Sequence, residues 1–113
     1  MRVNVYLNEG PNHFFGFDPE TACLNLSLAF DMENANHYSI LNLVYEQLNV
    51  GGEIVPATEW TKQYRANRCR SLSMGDVVVV GETAYACADV GWDRITTEEL
   101  ERASARQLGG SNG

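Results

Sequence analysis

Asp76-Val77-Val78-Val79-Val80 is the stretch that most narrows what this chain can fold into. Four consecutive β-branched residues are stiff at χ1 and suit a pleated strand better than a helix. The run offers no polar alternate to show to water, so the strand it forms is buried on both faces. Gly81-Glu82 follows, and glycine at the first central position fits a two-residue type II′ turn. Thr83 to Val90 then returns as the partner strand. A buried hairpin near the middle of the chain therefore anchors any reading of the fold.

The flanking sequence supplies the other elements. Val3, Val5 and Leu7 alternate with Asn4, Tyr6 and Asn8, the period of a half-buried strand. Glu9-Gly10-Pro11-Asn12 reads as a turn, and Phe14-Phe15-Gly16-Phe17 as a short hairpin partner. After a second turn at Asp18-Pro19-Glu20-Thr21, the alternation of Leu24, Leu26, Leu28 and Phe30 predicts a third strand. Asn34 or Asn36 can cap a helix whose apolar face is Leu41, Val44, Tyr45 and Leu48. Gly51-Gly52 ends it. Thr58 can cap a short helix through Trp60, Tyr64 and Arg65. Thr96 with Glu99 forms a capping box, and Ile95 with Leu100 the matching staple, for a helix over 97–107.

Strands and helices are segregated rather than alternating. The expected class is α+β: one domain over 1–108, a mainly antiparallel sheet of about five strands, two to three helices packed on one face, and a flexible tail at 109–113. The 113 residues are 44% apolar and 20% charged, ordinary for a globular chain. A domain of this size buries roughly two-thirds of its unfolded surface, enough for a real core. No apolar run approaches the ~20 residues of a membrane span, and Met1-Arg2 leads straight into strand sequence, so the expected location is cytoplasmic. Cys23, Cys69 and Cys87 are an odd set without metal-ligand spacing to each other or to His13 and His37, which points to reduced thiols and no bound metal.

The net charge is −7, unevenly spread. Residues 1–59 hold one base, Arg2, against eight acids, whereas residues 60–70 hold Lys62, Arg65, Arg68 and Arg70 with no acid. An acidic body disfavours general binding to nucleic acid or anionic membrane. The basic stretch, with Trp60 and Tyr64 interleaved, is the candidate binding segment: arginine forks grip phosphates or carboxylates, and aromatics stack bases. Its plainer reading is local pairing with the acidic body.

Ser71, Ser73 and Asp76 put two hydroxyls and a carboxylate at a strand start. A serine nucleophile needs a positioned base, and nothing ties His13 or His37 to these serines. They are better read as backbone-bonding residues that fix the turn into the strand. Cys69 between Arg68 and Arg70 would be reactive if those cations lowered its pKa, but a lone cysteine there is more simply incidental. Cys87 is a small core residue. Gly91 and Trp92 read as a corner that closes the core, with Trp92 alternatively an exposed anchor. No catalytic set or cofactor motif emerges, and a non-enzymatic protein is expected.

At Ser71-Leu72-Ser73-Met74-Gly75-Asp76-Val77-Val78-Val79 and at Val90-Gly91-Trp92 the chain resembles the YodL-like family. Gly75 stands where that family more often has serine, and Trp92 where it has phenylalanine. Leu48-Asn49-Val50-Gly51 is similar to the Phe-Asn element closing the family's preceding helix, so the likeness spans 48–92. The full chain is also similar to small proteins of actinobacterial phages and integrated elements, which share its opening strand and its Tyr64-Arg65-Ala66 and Arg-Ser-Leu-Ser segments. Arg68-Cys69-Arg70 departs from their shorter pattern.

The resemblance implies a setting, an accessory protein of a phage or mobile element in a bacterial host, and no defined chemistry. The expected function is binding of a host protein, as an inhibitor of a host defence or host machine. Two alternatives stay open: a nucleic-acid-binding module using 60–70, and a small nucleotide- or ligand-binding protein. A homodimer through an exposed edge such as 3–7 or 14–17 is also open.

Overall fold

The computed structural model describes residues 1–106 apart from 12, 34 and 35. In chain order it has β1 (Arg2–Asn8), a 3-10 turn (His13–Phe15), β2 (Leu24–Asp31), α1 (His37–Val50), α2 (Glu59–Ala66), β3 (Val77–Val80), β4 (Thr83–Cys87), β5 (Trp92–Ile95) and α3 (Thr97–Ala105). The strands form one five-stranded sheet in the order β2-β1-β3-β4-β5, antiparallel at every pairing. The protein is a single α+β domain.

The valine run is the middle of this sheet, and all four of its residues are buried. Val78 and Val80 join Val3, Val5, Leu28, Phe30, Ile40, Leu41, Val44, Leu48 and Tyr64 in the larger core, under α1 and α2. Val77 and Val79 point the other way, into a smaller core of Ala22, Leu24, Ala84, Ala86 and Ala103. Ala103 belongs to α3. The helices are therefore divided, with α1 and α2 on one face, as expected, and α3 on the opposite one. A strand with two apolar faces needs both covered, and the alanines of β4 give α3 a shallow surface to rest on.

The β3–β4 turn is as expected. Val80 pairs with Thr83 across Gly81-Glu82. Gly81 has φ +63°, and Arg68 is the sole non-glycine residue with positive φ among those described, so the turn is type II′ rather than I′.

The number of strands agrees with expectation, but one member differs. Residues 14–17 do not pair with β1, because β1 already has β2 on one side and β3 on the other. For the same reason residues 3–7 are not an edge. The fifth strand is β5, since the return strand stops at Cys87 instead of Val90 and turns, with Ala88 N–H bonding Gly91 O at 3.0 Å.

The regular alternation in β2 is also interrupted. Val5 pairs with Leu28 and Tyr6 with Leu26, so Ser27 is an extra residue in a β-bulge. Leu28 and Phe30 enter the larger core, Leu24 the smaller one, and Leu26 is left exposed.

Helix ends follow the sequence signals. Asn36 caps α1 by accepting from Ser39 N–H, Thr58 caps α2 through Thr61 N–H, and the Thr96–Glu99 box opens α3. Gln47, buried on α1, joins the first two helices: its side chain donates to Pro56 O and accepts from Thr58 N–H and the Thr61 hydroxyl. Expectations that touch Asn12, Asn34, residue 107 and the tail 109–113 lie outside the described residues. Among the described residues no helix is long and apolar enough to cross a membrane.

Gly75, just before β3, is where backbone meets backbone. Its φ is +93°, and a Cβ there would lie 2.2 Å from the carbonyl oxygen of His13. This close approach seats the 13–16 turn against the strand entry. Gly91, also at positive φ, has nothing within 4 Å of an added Cβ. Gly75→Ala is expected to cost at least about 2 kcal/mol in urea melts, strain plus collision, and Gly91→Ala about 1 kcal/mol, strain alone. Equal losses would show that the approach to His13 carries no weight.

Candidate functional site: a cleft with acidic groups at its rim

The polar residues that most suggest chemistry in the sequence prove to be a structural lock. Asp76 is fully buried. Its Oδ1 accepts from Asn8 N–H at 2.8 Å and from Arg70 Nη2 at 2.8 Å; its Oδ2 accepts from Arg70 Nη1 at 2.7 Å and Ser73 N–H at 2.7 Å. The Ser73 hydroxyl lies 3.3 Å from the same oxygen. Arg70 also donates to the carbonyls of Asn8 and Ser71. Asn8, itself buried, donates to Gly75 O and accepts from Gly10 and Cys23 N–H groups. The carboxylate thus joins the end of β1, the 70–75 loop and the start of β3. The bidentate bond to Asp76 raises the Arg70 pKa above its ordinary value, so the guanidinium is a permanent cation.

Neither histidine completes a catalytic pair with these serines. His37 Nδ1 shares a 2.8 Å hydrogen bond with the Tyr85 hydroxyl, and the His13 ring packs edge-on against Phe14. Asp76 and Ser73 set the strand entry, as the plainer reading had it, whereas Ser71 contributes only its carbonyl, to Arg70.

The basic-aromatic stretch is not one surface. Tyr64 is buried, and its hydroxyl donates to Arg70 O; burial pushes its pKa upward. Trp60 stacks flat on Phe30, with ring centroids 4.2 Å apart and planes 4° from parallel. Lys62 pairs with Glu59, while Arg65 donates to the carbonyls of Asn49 and Gly51 at the end of α1 and pairs with Glu53. Arg68 is exposed at φ +60°, with no side-chain partner among the described residues. Cys69 packs against the larger core, and burial pushes its thiol up, opposite to the activation its arginine neighbours suggest. Cys87 is buried, with its thiol pushed up to about 11, first by burial and then by Asp76. All three cysteines are free thiols.

A shallow concavity of about 510 Å³ lies beside this stretch, lined by Gly51, Gly52, Glu53, Ala57, Lys62 and Arg65, and a more enclosed one lies elsewhere. A cleft of about 500 Å³ opens between the 15–17 segment, Met74 and the β4–β5 turn. Ala86 and Ile95 form its floor, on the α3 side of the sheet, and Phe15 and Val90 flank it. Phe15 is 76% exposed and Val90 89% exposed, with Phe14 packed on Phe15 at 4.5 Å. Asp89 and Asp93 also line the cleft, both exposed. A smaller pocket of about 230 Å³ lies on the opposite side of the same turn, lined by Tyr45, Asn42, Asp89, Gly91 and Trp92. Trp92 is half-buried, edge-on to Tyr45 of α1 and packed against the larger core, so it both closes the core and lines a pocket.

No metal-holding group of three or more His, Cys, Asp or Glu occurs among the described residues. Trp92 was legible as an exposed-anchor alternative, whereas Phe14, Phe15 and Val90 were hidden by the expectation that they lie in strands. Comparison of the chain with protein-family models, with curated proteins and with solved structures returned no match.

Arg70→Ala leaves the Asp76 carboxylate buried without its cation and is expected to cost about 3 kcal/mol in urea melts, against less than about 0.5 kcal/mol for Arg68→Ala. Equal costs would show that Arg70 is not structural. The Cys87 thiol keeps its proton in the folded state after the unfolded chain has lost it. Its contribution to stability is therefore complete below pH 9 and falls as pH rises from 9 to 11, by on the order of 2 kcal/mol. Urea midpoints of wild type and Cys87→Ala across that range check this: the variant loses that share of the decline.

Proposed function

We propose that the protein is a non-enzymatic binding protein that holds a protein partner in the acidic-rimmed cleft, and that it serves a phage or mobile element by engaging a host protein. The observation that carries the binding role is the cleft itself. Phe15 and Val90 are kept in water beside a floor of Ala86 and Ile95, with Phe14 packed on Phe15, and solvent-exposed apolar groups gathered this way mark interaction sites. The setting rests on the resemblance of 71–79 and 90–92 to YodL-like proteins.

The polar constellation gives less support to the other readings. Arg70 is committed to Asp76, Tyr64 to the core and Trp60 to Phe30, while Lys62 and Arg65 each have an acid beside them. A nucleic-acid or nucleotide site on 60–70 would be left with Arg68 as its unpaired cation.

Affinity capture from host lysate tests the proposal, with wild type beside a Phe15→Ser/Val90→Ser double variant. Both positions are exposed, so the variant keeps its fold. A host protein retained by wild type and lost, by at least tenfold, with the variant is the expected result. Capture of nothing above background by wild type, or equal capture by both, would overturn it.

A further inference from the structure

The cleft reaches the outermost strand of the sheet, and among the described residues that strand has an open side: β5 pairs there with β4 alone. Ala88 N–H bonds Gly91 O, so the antiparallel alternation makes Ala86–Asp93 and Ala84–Ile95 the hydrogen-bonded pairs. The N–H and C=O groups of Trp92 and Arg94 therefore point away from the sheet. The other edge strand, β2, is interrupted by its bulge at Ser27, which twists an edge out of register with an incoming strand.

Side chains on the two faces of β5 meet different surroundings. Asp93 and Ile95 lie on the α3 side, at the large cleft. Trp92 lies on the α1 side, at the smaller pocket with Tyr45. A strand laid along β5 would thus find a recess for its side chains on each face, the arrangement by which strand addition gains selectivity. Asp89 borders both recesses and Asp93 the larger one, so the electrostatic preference is for a cation.

A second copy of this chain is a poor occupant. Pairing two β5 strands about a two-fold axis normal to the sheet sets residues of equal parity opposite one another. The two registers with most overlap put Asp93 against Asp93, or Arg94 against Arg94. Like charges directly opposite destabilise a strand pair.

We propose that the partner segment is an extended basic peptide, alternating lysine or arginine with apolar residues, which adds to β5 as a sixth strand. This rests on the cleft being the binding site. The peptide's backbone bonds Trp92 and Arg94, its cations face Asp93 and Asp89, and their aliphatic stems cover Phe15 and Val90. Its apolar residues face Trp92 and Tyr45.

The probe is a blocked, fluorescein-labelled octapeptide of alternating lysine and valine, followed by anisotropy against the full chain at low salt. Saturable binding is expected. It should weaken at least tenfold when glutamate replaces lysine, and at least tenfold when alternate peptide amides are N-methylated so that the edge bonds cannot form. Arg94→Pro removes one outward N–H without touching the bonds to β4, and should weaken binding tenfold, whereas Arg94→Thr should not. Asp89→Asn/Asp93→Asn should weaken it severalfold.

The N-methyl arm stands even if Arg94→Pro fails to fold. No binding of the lysine–valine peptide, or equal binding of the glutamate peptide, overturns the basic partner. Binding that survives N-methylation but is lost in Phe15→Ser/Val90→Ser overturns strand addition while leaving the cleft as the site. A dimer in sedimentation that Arg94→Pro dissolves would give the edge to a second copy and also overturn the proposal.

Discussion

A buried carboxylate, Asp76, is the constraint on which the rest of this structure depends. A charge inside a protein persists only if it is paired and its remaining acceptor positions are filled. Here one side is filled by both nitrogens of the Arg70 fork, and the other by main-chain N–H groups of Asn8 and Ser73. The Asn8 bond spans 68 residues of chain. Satisfying one side chain therefore requires β1, the 70–75 loop and the start of β3 to meet in one geometry. The pair is a weak source of net stability, but breaking it strands a charge in the core.

This lock and the candidate binding cleft are mechanically connected. Gly75 precedes Asp76, donates its N–H to Cys87 O at 2.9 Å, and lies against the His13 carbonyl. The 13–16 turn resting there carries Phe14 and Phe15 into solvent. The same few residues that satisfy the carboxylate thus hold one wall of the cleft against β4, its floor. Any side chain at this position would set its Cβ against His13 O, so the aromatic wall of the cleft depends on this glycine.

Much of the framework was legible because its signals are local. The valine run, the Gly81-Glu82 turn, the Thr58 cap and the Thr96–Glu99 box each depend on residues within a few positions, and each formed. What escaped was decided by distant partners. Residues 14–17 have strand composition, but β1, the partner expected for them, is already paired on both sides. Leu24, Leu26, Leu28 and Phe30 alternate perfectly, yet the bulge at Ser27 divides Leu24 from Leu28 and Phe30 on opposite faces. The candidate site fared likewise. The arginines and aromatics of 60–70 look concentrated in sequence, but the turns of α2 and the loop after it send Tyr64 inward and Arg70 to a carboxylate. The cleft is assembled from residues 15–17, 74 and 86–95, and no sequence window contains it.

Native-state hydrogen exchange shows whether the Asp76 carboxylate joins β1 and the 70–75 loop to the middle of the sheet as one cooperative unit. The amides of Asn8 and Ser73, which donate to that carboxylate, should open with the same free energy as the β3 amides, through global unfolding. Exchange of Asn8 and Ser73 through local openings several kcal/mol easier, with β3 still fully protected, would contradict it.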